Sequence, residues 1–149
     1  MISGSVLAPG LEGSIKVLGF RHEMSSPRDA VSGLPTGKRV HRPVTIIKEI
    51  DCSTPLLHKL LVNNENIQQW ELMFFRMSSK GKRENYYTIK LFNASVVGVN
   101  TDPMQNEHTG GMSLQLVETV SFSYRKISWT YFDADGPIIA EDDWESPVA

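Results

Sequence analysis

The chain has 149 residues, with 17 acidic and 15 basic side chains and a formal net charge of -2 at pH 7. This near-balance lacks the basic excess typical of proteins that bind nucleic acid or an anionic membrane surface. Its single cysteine, Cys52, excludes an intramolecular disulfide bond. No apolar run reaches the roughly 18 residues needed to cross a bilayer, so we expect no membrane insertion.

The first half of the chain predicts two strands separated by a long polar segment. Residues 13–22 and 40–50 alternate apolar and polar side chains with the period of two typical of half-buried strands. Between them, residues 24–38 collect Ser, Pro, Gly and Asp without a sustained period, which predicts an irregular loop. Loops of that length are uncommon in compact domains and are often functional, so a partner-contacting loop and a flexible surface connection are both open.

A short helix is predicted directly after the second strand. Ser53 or Thr54 can cap its first turn, where Pro55 costs no hydrogen bond. Asn63 and Asn64 tolerate the left-handed conformation that ends a helix. A helix this short is marginal in water, so it must pack on the sheet. Its apolar stripe is formed by four leucines at helical spacing, Leu56, Leu57, Leu60 and Leu61.

The second half of the chain predicts long strands. Alternating patterns span residues 67–77, 84–100, 112–124 and 125–131. A polar turn with Gly81 joins the first two into an antiparallel hairpin, and a Pro/Gly/Asn-rich loop covers 102–111. The apolar phase changes between the last two, which predicts a bulge or bend near residues 124–126. The tail has a turn at 135–136, a short strand at 137–140 and an acidic end.

Long alternating strands, with one short helix and no helix after each strand, predict a mainly β fold. We expect a small antiparallel β-barrel or sandwich with one short flanking α-helix. The length predicts a single domain over residues 1–149.

No group of residues indicates catalysis, a cofactor or a metal site. Cys52 and His58 are the nearest candidate pair, but a free cysteine before a helix is more often a small packed residue. Gly110 and Gly111 are not followed by the Lys-Ser/Thr pair that a phosphate-binding loop requires. We therefore predict that the protein is not an enzyme. The histidines lie on different predicted elements without ligand spacing, and they are His22, His41, His58 and His108.

Two other function classes stay open from the residues alone. A small barrel could hold a ligand or single-stranded nucleic acid on its aromatic residues. These residues recur at strand spacing and have no basic residues between them, which favours a role in the core. An enzyme that uses Cys52 or a histidine is the third class. The acidic tail is expected to be solvated and anchored by Trp144. The aromatic residues in question are Trp70, Phe74, Phe75, Tyr86 and Tyr87.

Ordered motifs along nearly the whole chain carry a family resemblance. The motifs are EGSIKVLGFRH (12–22), PTGKRVHRP (35–43), KEID to LLHK (48–59), YYTIKLFNASVVGV (86–99), LVETVSFSYRKISWTY (116–131) and DDW (142–144). In this order they resemble the Hcp family, the haemolysin-coregulated proteins that form the tube of the bacterial type VI secretion system. The KEID-to-LLHK and YRKISWT segments, at this separation, are the most specific.

The resemblance implies a small β-barrel-like sandwich that assembles as a six-membered ring, with rings stacked into a hollow tube. In that family a contractile sheath propels the tube, a spike protein sits at its tip and effectors travel in its lumen. It implies no catalytic residues and no cofactor. We expect the protein in the bacterial cytoplasm before firing and secreted afterwards, without a cleaved signal peptide, because the N-terminus lacks a basic start and an apolar stretch.

The loop at residues 24–38 is the candidate contact between subunits or stacked rings. Family members usually carry a further strand before the segment that matches residues 2–22, so we expect this chain to lack the family's first N-terminal strand. The candidate contact residues are Ser26, Pro27, Leu34, Pro35, Thr36 and Gly37.

Overall fold

The computed structural model describes residues 2–7, 10–104 and 115–144. Within these residues, one helix accompanies nine strands, and every strand pairing is antiparallel. The helix is α1 (Thr54–Val62). The strands are β1 (Gly19–Arg21), β2 (Met24–Ser25), β3 (Val40–His41), β4 (Val44–Glu49), β5 (Ile67–Met77), β6 (Arg83–Met104), β7 (Gln115–Ser123), β8 (Lys126–Asp133) and β9 (Gly136–Asp143).

The chain divides into two compact units, and the first is formed by Met1–Glu65 and Ser95–Ser123. In its sheet, β4 lies between β1 and β7, and β7 also pairs with the C-terminal part of β6. Val44 lies opposite Phe122 on β7. Ile46 lies opposite Val120, and all four side chains are buried. Burial of each such side chain stabilises the fold by roughly 1.5–3 kcal/mol.

The second unit is formed by Asn66–Ala94 and Tyr124–Ala149. Here the N-terminal part of β6 lies between β5 and β8, and β9 pairs with the other side of β8. The core of this unit is aliphatic and comes from three adjacent strands. Its buried residues include Leu72, Ile89, Leu91 and Ile127.

Several predictions from the sequence are confirmed. The fold is mainly β and antiparallel with one short helix. Gly81 has a φ of +74° in the β5–β6 turn, and Asn64 has a φ of +51° after α1. Both are positions where the left-handed conformation favours Gly or Asn. The predicted bend lies at Tyr124 and Arg125, between β7 and β8.

The strand predicted for residues 13–22 is wrong over most of its length, because only β1 is a strand. The backbone of Gly13 and Ser14 pairs with an N-terminal segment instead of continuing the β4 ladder. The amide of Gly4 donates to the carbonyl of Gly13 at 2.6 Å. Alternation of side chains cannot show which backbone a segment will bond to.

Other strand boundaries also differ from the prediction. The strand predicted at 40–50 is divided into β3 and β4 at Arg42 and Pro43, because proline has no amide hydrogen for the ladder. Strand β6 is longer than predicted and takes up the start of the loop predicted at 102–111. The rest of that loop, and the start of the strand predicted at 112–124, lie outside the described residues.

The tail strand is also longer than the short strand predicted at 137–140. It continues to Asp143 because β9 pairs with β8 over its full length. The pairing overrides the low strand propensity of its acidic end.

Helix α1 and the N-cap position at Ser53 are confirmed, but the expected side-chain cap hydrogen bond is not formed. Ser53 occupies the N-cap position and makes no side-chain cap hydrogen bond. Its hydroxyl donates to Asp51, while the hydroxyl of Thr54 donates to Glu118 at 2.8 Å. Both hydroxyls are therefore used by carboxylates and not by the backbone amides of the first turn.

The apolar stripe of α1 is narrower than predicted. Leu57 is buried, Leu60 and Leu61 are half-buried, and Leu56 is exposed. Among the described residues, no helix is long and apolar enough to span a membrane.

Candidate assembly site

The segment predicted as an irregular loop is an ordered hairpin, here called the long hairpin (residues 24–42). Strands β2 and β3 form its base, where Met24 lies opposite His41. Farther along, the amide of Thr36 donates to the carbonyl of Pro27 at 3.0 Å, and Arg28 bridges Pro35. The segment between β2 and β3 contains no further strand, as the loop prediction implies, but it is more ordered than predicted, because Pro and Gly mark turns within a hairpin as well as loops.

Asp29 holds the tip of the long hairpin. One carboxylate oxygen accepts hydrogen bonds from the amides of Val31 at 2.7 Å and Ser32 at 2.9 Å. The backbone of Asp29 also bonds the amide of Gly33 and the carbonyl of Leu34. The hydrogen bonds from the Ser32 and Val31 amides lower the pKa of Asp29, since they favour the ionised carboxylate.

This turn presents aliphatic side chains to solvent. Val31 is 98% exposed and Leu34 is 64% exposed. Because the backbone of the tip is fixed by hydrogen bonds, little ordering entropy remains to be lost when a partner contacts these side chains.

The structure brings the six predicted contact residues together on the long hairpin. Pro27 is half-buried, and the others are exposed: Ser26, Leu34, Pro35, Thr36 and Gly37. The sequence reasoning missed Asp29 and Val31. The available signal was an Asp four residues before Gly33, a spacing that suits a side-chain-supported turn.

Two histidines lie near one another at the base of the hairpin. His41 on β3 is buried, and His22 follows β1. Burial lowers the pKa of His22, and the charge of His41 lowers it further. Within the described residues, no group of three or more His, Cys, Asp or Glu side chains is arranged to hold a metal ion.

The candidate pair Cys52 and His58 has no functional geometry. The thiol of Cys52 donates to the carbonyl of Ser3 at 3.3 Å. The Nδ1 atom of His58 lies 2.7 Å from the carbonyl oxygen of Thr54, within α1. Each side chain is engaged by backbone, so the described contacts do not join a thiol to a base.

A buried polar cluster lies beside the start of α1. Lys48 on β4 forms an ion pair with Glu118 on β7, and both side chains are fully buried. The Lys48 ammonium also donates to Thr54 at 3.2 Å and lies 3.1 Å from a carboxylate oxygen of Asp51. Burial alone would raise the pKa of Asp51, but hydrogen bonds from Ser53 and Lys48 outweigh it and lower the pKa.

The aromatic residues proposed for base stacking are mostly half-buried and engaged within the second unit. Phe74 and Tyr87 have ring centroids 5.4 Å apart. The guanidinium of Arg76 lies 4.9 Å from the centre of the Tyr86 ring, and that of Arg83 lies 5.4 Å from the Phe75 ring. These ring faces are contacted by the protein's own side chains.

The acidic tail is anchored as predicted. Trp144 packs edge-on against Tyr124, with 6.2 Å between ring centroids, and its amide donates to the carbonyl of Arg125. Burial and the negative charge of Asp142 raise the pKa of Tyr124.

A second exposed surface is the β8–β9 turn (residues 131–139). It carries Asp133 and Asp135, both exposed, beside apolar side chains. Ile138 is 63% exposed. The other exposed apolar residues here are Tyr131, Phe132 and Ile139.

Residues 1–131 match the protein family described as "Type VI secretion system effector, Hcp". The major exported protein of Pseudomonas aeruginosa PAO1 is 42% identical over 147 residues, which cover 98% of this chain and 84% of that protein. Both comparisons extend over the segments that carry the long hairpin and α1.

Solved structures show the same fold. The Hcp1 protein of the E. coli EAEC 042 pathovar has a TM-score of 0.81 and 36% identity, covering 96% of this chain and 89% of that one. The secreted protein Hcp3 of Pseudomonas aeruginosa has a TM-score of 0.72 and 33% identity, covering 93% and 79%. The chain therefore belongs to the Hcp family of secreted type VI secretion system tube proteins, which are structural proteins and not enzymes.

Proposed function

We propose that this chain is the repeating subunit of a type VI secretion tube. Six copies form a ring, rings stack into a hollow tube, and effectors travel in the lumen. Residues 1–149 act as one Hcp-like tube domain. The main observation in support is that a chain of this family presents an ordered hairpin whose tip exposes two aliphatic side chains, Val31 and Leu34.

The long hairpin is the proposed contact between subunits or stacked rings. Exposed apolar side chains on an ordered backbone suit a protein contact, because burial gains free energy while little conformational entropy is lost. The contact includes the six residues predicted from the sequence: Ser26, Pro27, Leu34, Pro35, Thr36 and Gly37.

Strand edges support self-association as well. Strand β9 pairs on one side with β8, and it exposes both Ile138 and Ile139, which point to opposite faces of the strand. Apolar edge strands favour association with other chains unless they are covered. A ring of copies would cover such edges.

The remaining partners follow from the same role. A spike protein caps the tube, and a contractile sheath surrounds and propels it. We place the subunit in the bacterial cytoplasm before firing and outside the cell afterwards, exported through the apparatus it builds and without a cleaved signal peptide. Support comes from the relative named as a major exported protein.

The test is the mass and shape of the purified chain. Size-exclusion chromatography with light scattering, followed by negative-stain imaging, should show a six-fold ring and, at high concentration, tubes. The double variant Val31→Asp/Leu34→Asp should lose the tubes. Val62→Asp is the matched control, because Val62 is 76% exposed on α1 and outside the hairpin. A chain that stays monomeric at high concentration would contradict the proposal.

A further inference from the structure

We propose that the long hairpin of one copy docks on the β8–β9 turn of a second copy, and that opposite charges select this contact. The inference rests on the proposed tube function and names the surface that receives the hairpin.

Charge is strongly segregated along this chain. Residues 24–42 contain four Lys or Arg residues and one acidic residue, Asp29. Residues 127–144 contain five acidic residues and no Lys or Arg. Although its net charge is only -2, the chain therefore carries a basic hairpin and an acidic C-terminal region, which attract each other between copies.

The charges nearest the two tips are available for a partner. Arg28 and Lys38 on the long hairpin are exposed, and neither forms an ion pair with a described residue. The same holds for Asp133 and Asp135 on the β8–β9 turn.

The acidic residues at the far end of β9 are already engaged. Glu141 pairs with Lys126 at 2.7 Å, and Asp143 lies 3.9 Å from Arg125. The uncompensated negative charge of β8 and β9 is therefore concentrated at the turn that joins them.

The two surfaces also match in apolar character. The hairpin tip exposes Val31 and Leu34 between its basic residues, and the β8–β9 turn exposes Phe132 and Ile138 beside its aspartates. Contacts between apolar centres with charges at the rim are typical of specific protein interfaces.

A second copy of this chain is the occupant that this arrangement fits. The basic hairpin of one copy attracts the acidic turn of another. Two hairpins would repel each other, because both are basic, and two turns would repel each other, because both are acidic. The contact is therefore heterologous, with a donor surface on one copy and an acceptor surface on the next. Heterologous contacts that do not close repeat without limit, as the growth of a stack requires.

Charge reversal on each side gives a direct test with the full-length chain. In the hairpin variant (Arg28→Glu/Lys38→Glu), an acidic hairpin faces the acidic turn of the next copy. In the turn variant (Asp133→Lys/Asp135→Lys), the basic hairpin faces a basic turn. Each alone should show a fall of about tenfold or more in the association constant for stacking, measured by sedimentation velocity, since like charges oppose at the interface. The wild-type constant should fall as salt rises from low to physiological concentration.

Mixing the two variants is the decisive experiment. The reversed hairpin of one then faces the reversed turn of the other, and the two unchanged surfaces also match, so assembly should return towards the wild-type level. The matched control is Lys80→Glu/Lys82→Glu, an equal charge change on two exposed residues of the β5–β6 turn. This control should stack as the wild type does.

A second readout locates the contact itself. In a Cys52→Ala background, Val31→Cys combined with Ile138→Cys should give a ladder of disulfide-linked multimers on mild oxidation. Either single-cysteine variant can link two copies at most.

The outcomes separate this inference from the proposed function. If the wild type stacks but the charge variants stack equally well, or the mixture stays as weak as each variant alone, the hairpin-to-turn contact is wrong and the tube function stands. If the wild type never associates, both are wrong.

Discussion

Lys48 lies directly opposite Glu118, one pair beyond Ile46 and Val120 on the same buried face of β4 and β7. An ion pair thus continues a row of apolar pairs into the core. One Glu118 oxygen is shared between Lys48 and Thr54, while the other, Oε2, is buried without a hydrogen-bond partner among the described residues. The first unit thereby joins two strands and the start of α1 through charge.

Breaking this pair should be costly. We expect Lys48→Met to destabilise the protein by about 3–5 kcal/mol, because it leaves the Glu118 carboxylate buried and uncompensated. The double variant Lys48→Met/Glu118→Leu should recover most of the loss. Urea unfolding of Lys48→Met, Glu118→Leu and the double variant measures the coupling free energy between Lys48 and Glu118. Arg76→Met is the control, since it removes an exposed ion pair with Glu84 that is worth about 0–1 kcal/mol. A Lys48→Met variant as stable as this control would contradict the prediction.

Gly4 should not tolerate a side chain. A Cβ atom there would lie 2.6 Å from the carbonyl oxygen of Ser14 and 2.7 Å from the Cα of Ile15, and both are backbone atoms that cannot move aside cheaply. We expect Gly4→Ala to cost about 1–3 kcal/mol in the free energy of unfolding.

Gly37→Ala provides the comparison for Gly4→Ala. Nothing lies within 4 Å of the added atom at Gly37, so its effect should stay within about 0.5 kcal/mol. Equal stabilities of the two variants in thermal and urea unfolding would refute the close approach at Gly4.

The tip of the long hairpin should lose its order in acid. Asp29 has a folded-state pKa below its ordinary value of 3.8, so its carboxylate supports the turn above that pH. The support should weaken as the pH falls below 3.8 and through the folded pKa. NMR amide shifts of Val31 and Ser32 report this transition. In Asp29→Asn the amide oxygen can still accept these hydrogen bonds, and the transition should disappear. A transition that persists in this variant would assign it to another group.

His22 should titrate below its ordinary pKa of 6.5, chiefly because of burial. A histidine with a lowered folded pKa contributes stability that is present above 6.5 and is lost as the pH falls through the folded pKa. In His41→Gln the pKa of His22 should rise part of the way towards 6.5, because the neighbouring charge is removed while the burial remains. NMR titration of the His22 ring protons measures the shift. An unchanged His22 pKa in this variant would refute the interaction.

Side-chain alternation was sufficient to predict the long strands, because residues 67–77 form β5 as predicted. The short helix and its left-handed end at Asn64 also follow from local spacing. These features depend on neighbours in sequence, and propensity and periodicity report such neighbours directly.

Features that depend on distant residues were not predictable from the pattern. Lys48 interrupts an apolar face in the sequence, and its partner Glu118 is 70 residues away. The segment of the long hairpin was predicted as an irregular loop from its Pro and Gly content, which marks turns but does not show that Asp29 orders the tip or that Val31 is exposed.

The segments of the two units alternate along the chain, and this arrangement bears on the order in which the protein folds during synthesis. The first unit needs Ser95–Ser123, so its sheet cannot be completed until that segment has left the ribosome. The second unit waits longer, because β8 and β9 follow that segment in the chain. Domains generally fold as they are made, from the N-terminus. Until β8 has left the ribosome, β5 and the first part of β6 can pair only with each other, and the β6 edge of this nascent hairpin stays unpaired.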